Sequence, residues 1–179
     1  MEIMKKAKPR IAFLHIPKTA GQSVHHFIAK NYTEEEICPA RTNDQLYKYS
    51  LNELKKFKFY SGHLDLSIIQ NLGHFDLTFT ILRTPMKRIL SFYLYLRKEA
   101  LRKSAENPDI DLPYGLRLAK ESSLEEYFNN KDRSVEMFIN NHYNNFYSYY
   151  MAAGSYNGYQ KLSKTDLTKR ELLSMACMN

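Results

Sequence analysis

The chain has 179 residues with 44% hydrophobic and 13% aromatic content, which argues against general disorder and fits one domain with a substantial core. Its 26 Lys and Arg outnumber 19 Asp and Glu, and the formal charge of +7 favours anionic partners: phosphorylated or sulfated small molecules, acidic glycans or nucleic acid. The two cysteines lie outside any CxxC or His-rich setting, which argues against a structural metal. The charged start of the chain argues against a signal peptide, and the lack of a long apolar run argues against a membrane span.

The first predicted element is a strand over 11–16, where the continuous apolar run IAFLHI is typical of a strand covered on both faces. Pro17 ends this strand. Apolar residues then recur at helical spacing and predict a helix beginning near Ser23, with one face made of Val24, Phe27, Ile28 and Tyr32. The sequence therefore predicts a strand, a tight loop and a helix, and His15 is expected to be a core histidine.

A second strand is predicted over about 58–61, after a short helix that opens with a capping box of Ser50 and Glu53. The run LTFTIL predicts a third strand over 77–82. Thr84 and Pro85 are residue types favoured at the start of a helix.

A long helix with one apolar face is predicted beyond Pro85, from the spacing of Met86, Ile89, Leu90, Tyr93, Leu96, Arg97 and Ala100. Its polar side is expected to carry Thr84, Lys87, Arg88 and Ser91. A second strand-to-helix connection therefore lies at Arg83.

Beyond Lys103 the periodicity weakens. Ser122 with Glu125 predicts a helix cap, 133–140 predicts a helix, and the Asn- and Tyr-rich segment 140–159 is expected to pack because of its aromatic content. Thr168 with Glu171 predicts a last cap, but the chain ends about two turns later, so we expect an α/β fold truncated at the C-terminus. We predict a single domain over 1–179, with core motifs in 10–97 and a helical region in 104–179.

The first connection, HIPKTAGQS, has the residues of an anion site. A helix N-terminus presents unpaired N–H groups, Gly21 lets the backbone approach a phosphate closely, and Lys18 adds a formal charge. An ordinary buried turn with Lys18 in water is the alternative. A Walker-type kinase is disfavoured, because the P-loop pattern GxxxxGK[ST] is absent and no acidic residue ends the third strand.

The second connection sharpens this hypothesis. Ligands of open α/β sheets bind beyond the carboxyl ends of the strands, and Arg83 is expected at the end of the third strand. Lys18 and Arg83 would then grip two separate phosphates of one nucleotide.

Three motifs in the same order resemble those of carbohydrate sulfotransferases similar to the heparan sulfate 2-O- and 6-O-sulfotransferases. HIPKTAGQS resembles the 5′-phosphosulfate loop, LRTPMKRILSFY the 3′-phosphate segment, and SGHLDLS the position of the acceptor base. The resemblance covers 10–97 well. It implies a P-loop-NTPase-like parallel sheet flanked by helices, 3′-phosphoadenosine 5′-phosphosulfate as donor, 3′,5′-adenosine bisphosphate as product, no metal, and a carbohydrate or glycoconjugate acceptor.

The resemblance also implies roles for individual residues. It assigns the 5′ side of the nucleotide to Lys18, Thr19, Ala20, Gly21, Gln22 and Ser23. It assigns the 3′-phosphate to Arg83 and Ser91, and the role of base to His63. The chain departs from the family pattern at Gln22, where Thr is common, and at Thr84, where Asp is common.

The chemistry of sulfuryl transfer agrees with these roles. The leaving phosphate gains charge as the S–O bond breaks, so the cation of Lys18 would stabilise the transition state more than the ground state. Histidine titrates close to neutrality, so His63 could accept the proton of the attacking hydroxyl. Without the motif, His63 would be interpreted as a polar turn residue.

Three other interpretations remain: a P-loop-type small-molecule kinase, a truncated nucleotide-binding domain without turnover, and a nucleic-acid binder. The last is the weakest, because no recognised module occurs and the basic residues are spread along the chain. Cytoplasmic residence is expected, with peripheral attachment to a membrane left open.

Overall fold

A computed structural model of the chain describes residues 7–178. They form two compact units, the first made of 7–82 with Ala153–Tyr156 and the second of Arg83–Ala152 with Asn157–Met178. That the chain forms a single domain over 1–179 therefore stays a prediction. Each unit is described by itself below.

The first unit contains a three-stranded parallel sheet of β1 (Ile11–Leu14), β2 (Phe59–Gly62) and β3 (Leu77–Phe79). The strand order is β2-β1-β3, so β1 is central and pairs on both sides. Its three residues after Ile11 are buried, as the continuous apolar run predicts. A parallel sheet flanked by helices confirms the α/β class.

The strands are shorter than predicted. β1 ends at Leu14, and β3 is limited to three residues instead of the run over 77–82. β3 is an edge strand on which Leu77 and Thr78 are exposed. Beyond it, the hydroxyl of Thr80 donates to the carbonyl of Leu14 at 2.6 Å, so a side chain takes the position of a further ladder bond.

Four α-helices complete this unit: α1 (Gly21–Ala29), α2 (Asn43–Leu46), α3 (Leu51–Leu54) and α4 (Leu66–Asn71). The capping box at the start of α3 is confirmed, because Ser50 accepts from the N–H of Glu53 and the Glu53 carboxylate accepts from the N–H of Ser50. The predicted apolar face of α1 is wrong at Phe27, which is 75% exposed.

The second unit is helical. It contains α5 (Pro85–Glu106), α6 (Tyr114–Glu121), α7 (Leu124–Asn129), α8 (Arg133–His142), α9 (Phe146–Ala153), α10 (Gly158–Leu162) and α11 (Lys169–Met178), although Ala153 itself is grouped with the first unit. One side of α5 packs into an aromatic cluster built on Tyr93, Tyr127 and Tyr143. Phe146 and Tyr150 are also buried, so the Asn- and Tyr-rich segment packs as predicted. Within 7–178, no helix is both long enough and apolar enough to cross a membrane.

The predicted faces of α5 need correction. Arg88, predicted on the polar side, is only 2% exposed; its Nη1 donates to the carbonyl of His142 at 3.0 Å, and its guanidinium lies 4.3 Å from the ring centre of Phe146. Met86 and Leu90, predicted on the apolar face, are exposed. An aromatic surface accepts a planar guanidinium, so hydrophobic spacing alone misassigned this turn.

The helix starts are mostly as predicted. Thr84 precedes Pro85 at the beginning of α5, although its side chain makes no capping hydrogen bond. The cap predicted at Ser122 and Glu125 lies one residue later, at Ser123 and Glu126. The pairing of Thr168 with Glu171 is confirmed by two reciprocal hydrogen bonds.

Candidate functional site

The loop between β1 and α1 has an unusual backbone. Lys18 and Ala20 have φ values of 71° and 66°, a left-handed conformation that costs a non-glycine residue about 1 to 2 kcal/mol. Among the described residues, no backbone hydrogen bond uses the N–H of Thr19 or Ala20. Amide donors are thus left available beside a lysine at the start of a helix, which is the arrangement of an anion site.

The other predicted loop residues have different environments. Thr19 is buried and its hydroxyl donates to the carbonyl of Ile16 at 2.8 Å, so it holds the loop together. Gln22 and Ser23 are exposed in the first turn of α1. Gly21 is buried, and a Cβ at this position would fall on the ring of His15. Glycine is therefore required here for packing against His15, whatever it contributes to a phosphate site.

His63 lies directly after β2 and is held by main-chain atoms. Its Nδ1 lies 2.6 Å from the carbonyl oxygen of His15. A carbonyl only accepts, so Nδ1 carries the hydrogen and Nε2 carries the lone pair. No hydrogen bond to Nε2 occurs within the described part of the chain. The ring therefore has the tautomer that a general base requires, with Nε2 as the atom that can accept a proton.

The charge state of His63 also suits a base. Burial lowers its pKa below the usual value, the hydrogen bond with the His15 carbonyl opposes this, and the charge of Arg41 lowers the pKa further. The ring is thus biased toward the neutral form that can accept a proton.

Two more histidines of the first unit have shifted pKa values, and one of them contacts His63. His15 is buried after β1, and its ring stacks on that of His63 at 4.7 Å between centroids. His25 lies on α1 with its Nδ1 2.6 Å from a guanidinium nitrogen of Arg41. Burial and neighbouring positive charges lower the pKa of both histidines to about 4. The sequence predicted His15 as a core residue, but it did not predict its contact with His63.

These pKa shifts predict that the protein loses stability as the pH falls from 6.5 to 4.5. In this window the unfolded chain binds protons on His15 and His25 that the folded chain does not bind, so stability is full above pH 6.5 and decreases below it. His15→Gln should reduce this loss by on the order of 2 kcal/mol. Thermal unfolding at a series of pH values measures it, and the exposed His74 supplies the control His74→Gln. Equal pH dependence in wild type and His15→Gln would contradict the assignment.

A segment distant in sequence supports the histidines. The hydroxyl of Tyr156 donates to the carbonyl of His15 at 2.5 Å and lies 3.4 Å from Nδ1 of His63. Asp65 fixes this segment by accepting from the hydroxyl of Ser155 and the N–H of Tyr156. Sequence analysis missed both residues, because Asp65 and Tyr156 are 91 positions apart and carry no local motif.

Arg83 and Ser91 lie in the second unit. Arg83 is exposed two positions before α5, and its backbone exchanges hydrogen bonds with the hydroxyl of Tyr147 at 3.2 and 2.9 Å. Ser91 is half-buried in the second turn of α5. That Lys18 and Arg83 bind two phosphates of one nucleotide stays a prediction.

Metal ligands are not gathered in the part of the chain that the structure describes: no group of three His, Cys, Asp or Glu side chains there could hold a metal ion. The two cysteines are unpaired, with Cys38 buried and Cys177 exposed.

Comparison with known families decides the family. The model of the Sulfotransferase family matches residues 1–170 of the chain. The chain belongs to the sulfotransferase family. This confirms the predicted family, whereas the narrower likeness to carbohydrate sulfotransferases stays a prediction.

One curated sulfotransferase is similar over part of the chain. A protein-tyrosine sulfotransferase of Arabidopsis thaliana is 34% identical over 100 residues, which are 55% of this chain and 19% of that protein. The matched part of this sulfotransferase thus spans about a fifth of the length of its relative. No solved structure matches the chain.

Proposed function

We propose that the chain transfers a sulfuryl group from 3′-phosphoadenosine 5′-phosphosulfate to an acceptor hydroxyl. Membership of the sulfotransferase family supports the reaction class. The observation that carries the proposal is the hydrogen bond of His63 to the carbonyl of His15, which leaves the lone pair of Nε2 available. His15, the residue that holds this base, precedes Lys18 by three positions. The proposed base is therefore hydrogen-bonded to the connection that carries the proposed leaving-group cation.

The connection between β1 and α1 is proposed to be P-loop-like. A central parallel strand, a loop with unused amide donors and a following helix support this arrangement. In the proposed complex Lys18, Thr19, Ala20, Gly21, Gln22 and Ser23 hold the 5′ side of the nucleotide. Arg83 and Ser91 are proposed to hold the 3′-phosphate.

The proposed transfer uses no metal ion. Nε2 of His63 accepts the proton of the acceptor hydroxyl while the hydroxyl oxygen forms a bond to sulfur. The bond from sulfur to the 5′-phosphate oxygen breaks, and its electron pair stays on the phosphate. The ammonium of Lys18 stabilises the charge that develops on this oxygen, and 3′,5′-adenosine bisphosphate is released.

The acceptor is proposed to be a hydroxyl of a carbohydrate or glycoconjugate, from the resemblance of the three motifs. A tyrosine hydroxyl is the second candidate, because the similar Arabidopsis thaliana protein is named as a protein-tyrosine sulfotransferase. Mass-spectrometric transfer assays with the phosphosulfate donor, a glycan panel and tyrosine peptides distinguish the two. The kinase alternative is not favoured for a member of the sulfotransferase family. Cytoplasmic residence, with or without attachment to a membrane surface, stays a prediction.

The donor assignment predicts that 3′,5′-adenosine bisphosphate raises the melting temperature without magnesium. A ligand that binds only the folded state stabilises it by about 2.7 kcal/mol at a hundredfold excess over its Kd. Thermal unfolding with the bisphosphate, and separately with ATP and magnesium, measures the effect. Stabilisation by ATP with magnesium alone would support the kinase instead, and binding without any sulfuryl transfer would support the truncated nucleotide-binding domain.

A further inference from the structure

Arg41 is a half-buried residue fixed beside His63. Its N–H donates to the side-chain oxygen of Gln45 at 2.6 Å, and its carbonyl accepts from the N–H of His63 at 2.7 Å. Gly62 packs so closely on the backbone of Arg41 that no Cβ would fit between them. The position of this arginine relative to the end of β2 is therefore set by main-chain contacts.

The guanidinium of Arg41 has an imidazole as its neighbour. A guanidinium nitrogen lies 2.6 Å from Nδ1 of His25, and because arginine only donates, the histidine must accept and be neutral. None of the ion pairs between described residues includes Arg41. A half-buried charge without a counter-ion is unfavourable, so the site is prepared for an anion.

The groups around Arg41 reinforce this preference. His15 and His63 stack on each other, and besides burial the charge of Arg41 lowers the pKa of both. Lys18 lies in the loop between β1 and α1 that also contains His15. The carboxylate of Asp65, two residues after His63, is occupied by Ser155 and Tyr156. The neighbouring charges that lower the pKa values of these histidines all belong to basic residues.

We propose that Arg41 binds an oxyanion of the acceptor, a carboxylate, sulfate or phosphate group carried next to the hydroxyl that His63 would deprotonate. Arginine suits this role because its planar fork donates two parallel hydrogen bonds to such groups. The anion site follows from the geometry alone. Its attribution to the acceptor rests on the proposed function, and it makes Arg41 a specificity residue that favours acidic acceptors.

Inorganic sulfate is the probe for this site. Sulfate is titrated at constant ionic strength while the Cε1–H resonance of His25 is followed by NMR, without nucleotide, with 3′,5′-adenosine bisphosphate, and with the phosphosulfate donor. Arg41→Gln should weaken sulfate at least tenfold, and Arg41→Lys should weaken it less. Arg117→Gln, which removes the same charge from an exposed ion pair in the second unit, should leave sulfate binding unchanged. Circular dichroism confirms that each variant is folded.

Arg41-dependent sulfate binding that persists with the phosphosulfate donor bound supports the proposal. Loss of sulfate binding when that donor is present, together with weaker donor binding by Arg41→Gln, would assign Arg41 to the donor and overturn it. Equal sulfate affinity in Arg41→Gln and wild type would also overturn it. If neither nucleotide binds, the proposed function fails, whereas Arg41-dependent binding of sulfate alone would still support the oxyanion site.

Discussion

Replacing His63 by asparagine is expected to lower turnover by about 10² to 10⁴-fold while leaving the affinity for 3′,5′-adenosine bisphosphate nearly unchanged. The amide nitrogen of asparagine can replace Nδ1 as the donor to the His15 carbonyl, so the loop should keep its structure. Nothing replaces Nε2, so the proton acceptor is lost. Transfer assays and calorimetry on the same preparations separate the two effects.

The pH profile gives a second measurement of the same role. Because the pKa of His63 lies below the usual histidine value of 6.5, the acidic limb of kcat/KM should lie below that pH. The exposed His74 supplies the control His74→Asn, which should keep full turnover. Unaltered turnover in His63→Asn would assign the base elsewhere, and no turnover in wild type would support the binding-only alternative.

Local patterns predicted the fold where they depended on neighbouring residues. The capping boxes at Ser50 and Thr168 needed only a residue three positions away, and both formed. The central strand β1 was predicted from its continuous apolar run, and its successive residues Ala12, Phe13 and Leu14, which alternate between the two faces of the sheet, are all buried. The same argument overextended β3, since an apolar run does not tell whether a strand lies at an edge.

Packing over long sequence distances was beyond these patterns. Arg88 was assigned to a polar face because it is charged, but His142 and Phe146, more than 50 residues later, surround it. The contact of Tyr156 with His15 spans 141 residues. Hydrophobic spacing reports one helix face and cannot report which distant side chains cover it.

The candidate site was predicted in part. Lys18, Gly21 and His63 were singled out because motifs mark them, and the structure gives them a left-handed loop, a tight contact with His15 and a defined tautomer. Arg41 and His25 carry no motif. A lone arginine is informative only when its burial and its lack of an acidic partner are known, and both depend on the three-dimensional structure.

Replacing Lys18 by alanine is expected to lower turnover by about 10² to 10³-fold, the loss typical of one group that stabilises transition-state charge. Alanine is the appropriate variant because Lys18 has a φ of 71°, and alanine leaves the backbone cost of this conformation nearly unchanged, whereas glycine would remove it. Transfer assays measure the loss, and Lys18→Arg tests whether a charge alone restores activity.

Nucleotide binding distinguishes Lys18 from Arg83. Lys18→Ala should weaken both adenosine 5′-monophosphate and 3′,5′-adenosine bisphosphate, because both carry the 5′-phosphate. Arg83→Ala is the matched comparison: it should weaken the bisphosphate by about 1.5 to 3 kcal/mol, the range for hydrogen bonds to charged groups, and leave the monophosphate almost unchanged. Calorimetry on folded variants measures all four affinities. Equal losses of both nucleotides in Arg83→Ala would mean that this arginine does not bind the 3′-phosphate. The segment LRTPMKRILSFY would then lose its assignment to the 3′-phosphate. The effect of Lys18→Ala on turnover would still test whether Lys18 is the cation that stabilises the leaving group.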